Sequence, residues 1–579
     1  MRILLLAHAF NSLAQSLFVA LRARGHLVSV ELDIADSVTE EAVALFRPDL
    51  ILAPYLKRAI PATVWRRHVC LVLHPGVAGD RGPSALDWAI LEGETAWGVT
   101  VLQANAEMDA GPLWGEAHFA MRAAGKGSLY RHEVTAAALR AYDQALARLA
   151  AGAAPLRPAR PRGRARPPMD QASRRIDWQA DGAALVLAKL RGADGAPGVR
   201  DSLFGQPCHL YDAHPASAAS LAGLGGAPGD VVARRDHAVL RRCADGAVWI
   251  GHARLAAAPD AAGPRPFKLP VSHCYAAPWA ALPELAVPVH RPPGEWGELR
   301  YWEHGGCGFL RFDFYNGAMS TAQCRRLAQA LRAARARPTR VLVLLGGADF
   351  FSNGIDLNRI EASASPADES WDNIHAMDDL ALAILDGGRQ WTVAALRGNA
   401  GAGGVFLALA ADEVWAAGRV LLNPHYKNMG NLYGSEYWTY SLPRRVGAAA
   451  AEALTQRRLP WSARQALEAG LIDAVLAPGG EGADPLDAIA ARAVALARSP
   501  GLAARVAARR AARARDEARK PLQAYRDEEL ARMHRNFYGF DPSYHIARFH
   551  FVHKTPQAWT PRHLAIHRNP DFESAAIRP

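Results

Sequence analysis

Residues 71–111 read LVLHPGVAGDRGPSALDWAILEGETAWGVTVLQANAEMDAG. The stretch opens on an apolar, β-branched run, Val69 to Leu73, which has the character of a buried strand. It stops at His74-Pro75-Gly76, a turn that leaves an imidazole at the C-terminal edge of a strand. In an open α/β sheet that edge is where ligands bind. A second short strand, Gly98 to Gln103, leads to Met108-Asp109-Ala110-Gly111, and is expected to deliver a carboxylate to a neighbouring strand end. His74 and Asp109 would then form an acid–base pair, because a carboxylate orients an imidazole ring and favours its charged form.

Upstream, Arg2–His8, Leu27–Leu32 and Asp49–Pro54 have strand character, and Leu13–Arg24 is a helix closed by Gly25. Strands alternating with helices predict a parallel, Rossmann-like sheet. The first turn, His8 to Ser12, carries no G-x-G-x-x-G, which argues against a nicotinamide cofactor. Asn11 and Ser12 stand before a helix N-terminus and suit a phosphate or a pteridine edge. Ser12 serves equally well as a plain N-cap.

Downstream, Pro155–Pro168 (PLRPARPRGRARPP) has the composition of a linker whose charge is solvated. Short strands and turn signals from Arg175 to Ala277 predict a small β-barrel, and Pro283–Pro293 a second linker. From Tyr301 to Arg498 the pattern changes to a strand over Phe309–Phe314, an amphipathic helix over Ser320–Ala336 and a buried strand over Thr339–Gly346. Two glycine-bearing stretches follow, GADFFSNGIDLNRI and, further on, RGNAGAGGVFLALA. The Arg/Ala-rich residues after Ala503 are helical in pattern. Four domains are expected: 1–154, 169–280, 296–500 and a helical tail over 501–579.

The length, 579 residues, exceeds what one core organises. A net charge of +11 suits anionic ligands, but no nucleic-acid recognition motif is present. The six cysteines lie far apart with no C-x-x-C, which fits a reducing compartment. The apolar start, MRILLLAHAF, is too short for a signal peptide, and no run is long enough to span a bilayer. A cytoplasmic protein is expected. His545, His550 and His553 have metal-like spacing but no nearby cysteine or acid, so no metal site is predicted.

The residues around His74 resemble the folate-dependent formyltransferases. The resemblance rests on His74, Arg81-Gly82-Pro83, Trp88-Ala89-Ile90, Gly93, Gly98-Val99-Thr100 and Asp109-Ala110-Gly111, and extends to Lys126–Val134. It implies catalytic roles for His74 and Asp109, folate or anion contacts from Asn11, Ser12, Arg81, Ser84 and Arg131, and an OB-like second domain. One departure stands out: the family's Asn, two residues before the His, is Val72 here.

The later segment resembles the crotonase (enoyl-CoA hydratase/isomerase) superfamily. By that resemblance the backbone amides of Ile355 and Gly403 form an oxyanion hole for a CoA thioester, and glycines let the backbone approach it. The family's two hydratase glutamates fall on Phe406 and Tyr426, so water addition has lost both carboxylates. The following stretch instead supplies Tyr426 and Glu436, with Tyr433, Tyr437 and Tyr440 nearby. A formyltransferase head joined to a crotonase-like tail resembles the HoxX-type hydrogenase maturation factors. That resemblance implies CO synthesis from formyl-tetrahydrofolate and coenzyme A, through formyl-CoA, with hydrogenase maturation proteins as partners. Tyr426 and Glu436 would share acid and base duties, in either order. Two other readings stand beside it: formyl transfer to an amine with a CoA-sensing tail, and a non-catalytic chaperone for hydrogenase assembly.

Overall fold

The computed structural model describes residues 1–157, 162–257, 263–477 and 484–572. The head contains β1 (Arg2–Ala7), β2 (Leu27–Leu32), β3 (Leu50–Tyr55), β4 (Cys70–His74), β5 (Ala96–Gln103) and β6 (Leu113–Ala120). They form one sheet in the order β2–β1–β3–β4–β5–β6. The first four strands are parallel and nearly all apolar, as burial on both faces requires. β5 and β6 run antiparallel.

That reversal corrects one expectation. His74 pairs with Thr100 and Leu71 with Gln103, so β5 ends at the edge away from His74. Asp109 does not sit at a neighbouring strand end. The loop 104–112 carries it back, with Asp109 itself at φ 54. The return is tight: a Cβ on Gly111 would collide with the Gln103 carbonyl.

The middle domain holds β7 (Val199–Leu203), β8 (Gln206–Pro215), β9 (Val231–Arg235), β10 (Ala238–Arg242), β11 (Ala247–Leu255) and β12 (Leu269–Pro270). The antiparallel order is β7–β8–β11–β10–β9, with β12 against β11. Val186, Leu187 and Leu190 of the helix Ala183–Ala193 fill its core beside Ile176 and Trp178.

In the tail domain Leu299–His304, Cys307–Phe312, Val341–Leu345, Trp391–Leu396, Glu413–Ala417 and Ala474–Leu476 form a sheet in that spatial order. Only the first pair is antiparallel. A second, smaller sheet joins Phe350–Ser352, Asn399–Gly401, Leu421–Asn423 and Trp461–Ser462. The helix Thr321–Arg335 begins at a capping box of Ser320 and Gln323, which satisfies two otherwise unpaired backbone donors.

Two features depart from the sequence reading. One of the linker's charges is not solvated: the Arg166 side chain is 9% exposed and pairs with Asp80 (3.2 Å) and Glu92 (2.6 Å), whereas Arg164 stays 67% exposed. Its centre, 158–161, lies outside the described residues. The C-terminal helices Leu502–Arg519, Leu522–Tyr538 and Ser543–His553 stay with the tail, but Thr560–Phe572 cross to the head. There Leu564 accepts a hydrogen bond from the Val30 amide, and Thr560, His567 and Arg568 all reach Glu31. Glu31 is fully buried on β2, and a buried carboxylate needs such partners.

Candidate functional site

The head site is built on the end of β4. His74 is 3% exposed and lies between two carboxylates, with Nε2 2.9 Å from Asp80 Oδ1 and Nδ1 3.4 Å from Asp109 Oδ2. Asp109 Oδ2 also accepts from the Gly82 amide at 3.2 Å. Asp80 is fully enclosed, and its other oxygen takes the Arg166 guanidinium, which lies over the Trp97 ring. A Cβ on Gly76 would collide with His74 Nε2, so only glycine lets the loop close over the imidazole. Val72 is partly buried against the apolar cluster of Leu4, Leu6 and Ile51.

The remaining head candidates divide. Asn11, not Ser12, is the N-cap of the first helix, accepting from the Ala14 amide at 3.0 Å. Ser12 Oγ instead accepts from Asn399 of the tail at 3.5 Å, and Gln15 one turn on meets Asn423 at 3.2 Å. Arg81 pairs with Glu107 at 2.5 Å, and Ser84 Oγ accepts from the Met169 amide at 3.0 Å. Arg131 holds Asp349 of the tail at 2.8 Å, together with His132 and Ser128. Burial alone would raise the Asp349 carboxyl, but hydrogen bonds from His132 and Arg131 hold it well below the usual range. Head and tail are thus clamped through one carboxylate, immediately before the strand that leads to Ile355.

The tail site is drier. Gly354 has φ 84, and a Cβ there would lie 3.3 Å from the Gly403 nitrogen, so the Ile355 and Gly403 backbones are close neighbours. A Cβ on Gly403 would collide with Glu436 Oε1. Glu436 is 1% exposed and sits at φ 63, followed by Tyr437 at φ 58. Two successive non-glycine residues in the left-handed region store strain of the kind that collects at functional sites. Tyr426 Oη donates to Glu436 Oε2, and its ring stacks on Phe406 with centroids 5.0 Å apart.

Glu436 is pushed up to about 8, first by burial and then by the charge of Asp378. Asp378, raised to about 6 chiefly by burial, accepts at Oδ1 from Ser435 Oγ (2.6 Å) and the Glu436 amide (2.8 Å). Burial and Glu436 together push the Tyr426 phenol well above its ordinary value, so it stays protonated. Glu529 of the helix Leu522–Tyr538 accepts from the amides of Tyr437 (3.0 Å) and Thr439 (2.8 Å) and fixes the strained turn. Two of the other tyrosines do not join the pair: Tyr440 donates to Asp516, and Tyr433 packs on Trp438. Two of the tail histidines have polar partners, His545 with Phe537 and Arg548, His553 with Glu361.

A cavity of about 240 Å³ lies where the three domains meet, lined by Arg131, Arg191, Asp212, His237, Asp349 and Phe350 among others.

Three family models match the chain: formyl transferase over 21–138, formyl transferase C-terminal domain over 168–264, and enoyl-CoA hydratase/isomerase over 314–560. The chain is 55% identical over 571 residues to the hydrogenase maturation factor HoxX of Bradyrhizobium diazoefficiens, covering 98% of this chain and 97% of that protein. The chain belongs to the HoxX family of hydrogenase maturation factors. A crystal structure of HypX from Aquifex aeolicus in complex with tetrahydrofolic acid has a TM-score of 0.92 to it at 44% identity, covering 98% of this chain and 99% of that one. The similarity to a methionyl-tRNA formyltransferase of Anaeromyxobacter dehalogenans, 27% over 224 residues, is confined to 38% of this chain and 71% of the other. No helix among the described residues is long and apolar enough to cross a membrane.

Within this HoxX-family frame, sequence reasoning missed Asp80, Arg166, Asp378 and Glu529. Asp378 left a signal: with Ile374 and Ala381 it falls at helical spacing on the buried face of Pro366–Leu385, where a carboxylate is out of place. Arg166 left none, since its partner Asp80 is 86 residues away.

Proposed function

We propose that the chain makes carbon monoxide for hydrogenase maturation by two coupled reactions. In the head, the formyl group passes from a tetrahydrofolate nitrogen to the CoA sulfur. The C–N bond breaks as the C–S bond forms, and the thiol proton ends on the folate nitrogen. His74, between Asp80 and Asp109, is the group that carries this proton and steadies the tetrahedral oxyanion. Asn11, Ser12, Arg81 and Ser84 are proposed for folate. The HypX complex with tetrahydrofolic acid supports folate as donor. Arg131 and Arg191, both at the cavity between the domains, suit the phosphates of CoA.

In the tail, the amides of Ile355 and Gly403 hold the formyl-CoA carbonyl. Glu436, ionised, takes the formyl hydrogen as a proton; the C–S bonding electrons leave with the sulfur, and the proton returns to it. The products are CO and CoA. Tyr426 stays protonated and orients Glu436 through its hydroxyl. Such a proton carrier works best with a pKa near the working pH, and about 8 meets that need. Phe406, fully buried where a hydratase keeps a glutamate, removes a group that would activate water. The observation that carries this reading is Glu436 pressed against Gly403, with Tyr426 and Phe406 in place of the hydratase carboxylates. The test is to incubate the purified chain with formyl-tetrahydrofolate and CoA and trap CO with deoxyhaemoglobin. CO that requires both substrates is expected; formate or a formylated amine without CO rejects the reading.

A further inference from the structure

The middle domain contains a cluster that neither reaction uses. Asp212 on β8 gathers three imidazoles: His252 Nδ1 lies 2.8 Å from Oδ2, His237 Nε2 3.5 Å from the same oxygen, and His214 Nε2 2.8 Å from Oδ1. One ligand atom each from Asp212, His237 and His252 falls within 4.8 Å of the others, and all three residues are buried. His237 is 9% exposed, yet its Nε2 makes no hydrogen bond among the described residues. A buried nitrogen that faces a carboxylate at 3.5 Å without a hydrogen bond to it is under-satisfied unless something sits between them.

We propose that Asp212, His237 and His252 form a binding site for a divalent transition-metal ion of the zinc or ferrous type. The inference is independent of the CO-forming reading. Two imidazoles and one carboxylate are the donor set for such ions rather than for calcium or magnesium, which prefer all-oxygen shells. Metal–ligand bonds near 2.0–2.1 Å place tetrahedral ligand atoms about 3.3 Å apart. The observed 2.8 and 3.5 Å bracket that spacing.

The surroundings fit as well. Metal-binding imidazoles usually give their other nitrogen to a carboxylate. His237 Nδ1 is 3.0 Å from Glu298 Oε1, and Glu298 is itself held by Arg326 and Gln323. Asp212 keeps its second oxygen on His214. The backbone is shaped to the cluster: Asp212 has φ 58 in mid-strand and lies opposite Gly251, between the pairs Tyr211–His252 and Ala213–Ile250. A Cβ on Gly251 would collide with Asp212 Oδ2 and lie 2.9 Å from His237 Nε2. Asp212, His214 and His237 also line the cavity between the domains, so a fourth position is open to water or a small ligand.

The test uses the untagged full chain, stripped by a chelator and titrated with Co²⁺ or Zn²⁺ alone. One equivalent should bind, and Co²⁺ should show the intense visible bands of four- or five-coordination. His237→Gln and His252→Gln should each weaken binding at least tenfold, while His214→Gln retains the stoichiometry. Because a buried variant can fail to fold, the parent cobalt spectrum decides on its own. A parent chain that leaves Co²⁺ in its aqueous form overturns the site and leaves a hydrogen-bonded network joining β8 to β11. Folded His237→Gln and His252→Gln variants that bind as the parent does place the ion elsewhere and overturn it equally.

Discussion

The two candidate active sites solve opposite electrostatic problems. In the head, each charge has a partner: His74 lies between Asp80 and Asp109, and Arg166 closes the chain on Asp80. In the tail, three carboxylates, Glu436, Asp378 and Glu529, share a buried corner, and Arg526 comes no closer than 3.7 Å to Asp378. A charge-rich, fully paired site suits the transfer of an acyl group between two nucleophiles. A dry site that resists ionisation suits the handling of a thioester that water would destroy. Removing one partner from the head's paired charges should therefore destabilise the fold, whereas removing a like charge from the tail should stabilise it.

The largest effect expected from this contrast follows loss of the head imidazole. His74→Ala should lower tetrahydrofolate release about a thousandfold, and CO with it, since the tail then receives no formyl-CoA. Added formyl-CoA should restore CO in the same variant. Failure of that rescue would mean that the two sites are not separable.

Stability should respond in opposite directions. Arg166→Ala leaves His74 on Asp80 but takes the partner from its other buried oxygen, and is expected to cost roughly 3 kcal/mol in urea unfolding. Glu436→Gln should stabilise, and the sign follows from proton binding. The folded group titrates near 8 and the unfolded one near 4.5, so between those values the native state holds a proton that the unfolded state has lost. Stability of the parent therefore falls as pH rises through that window and levels off above it. The variant escapes the fall, with a gain on the order of a few kcal/mol at pH 8. Equal pH dependence in parent and variant would remove the basis of the contrast.

A smaller effect concerns Asp378. CO formation from formyl-CoA should rise with pH and reach a plateau above about 8 as Glu436 ionises. Asp378→Asn can still accept the Ser435 and Glu436 hydrogen bonds but removes a like charge, so the limb should move to lower pH. A limb that does not move would assign the shift to burial alone.

Much of this was legible in the sequence, for identifiable reasons. His74, Asp109, Tyr426 and Glu436 lie in local motifs, and local spacing survives without coordinates. The strand–helix alternation gave the parallel half of the head sheet. It could not show that β5 runs antiparallel, because a strand's direction depends on its connection rather than on its own residues. Arg166 was hidden by its setting: Pro and Arg together look like a solvated linker until a buried carboxylate claims one guanidinium. The crossing of Thr560–Phe572 to Glu31 was likewise invisible, since a lone Glu in an apolar strand names no distant partner.

The most direct test of the central claim is one assay on Glu436→Gln that follows tetrahydrofolate and CO together. The substitution keeps the acceptor for the Tyr426 hydroxyl and removes only the base. With formyl-tetrahydrofolate and CoA supplied, tetrahydrofolate should form at the parent rate and CO should fall about a hundredfold, with formyl-CoA or formate in its place. CO at the parent rate from this variant would contradict it.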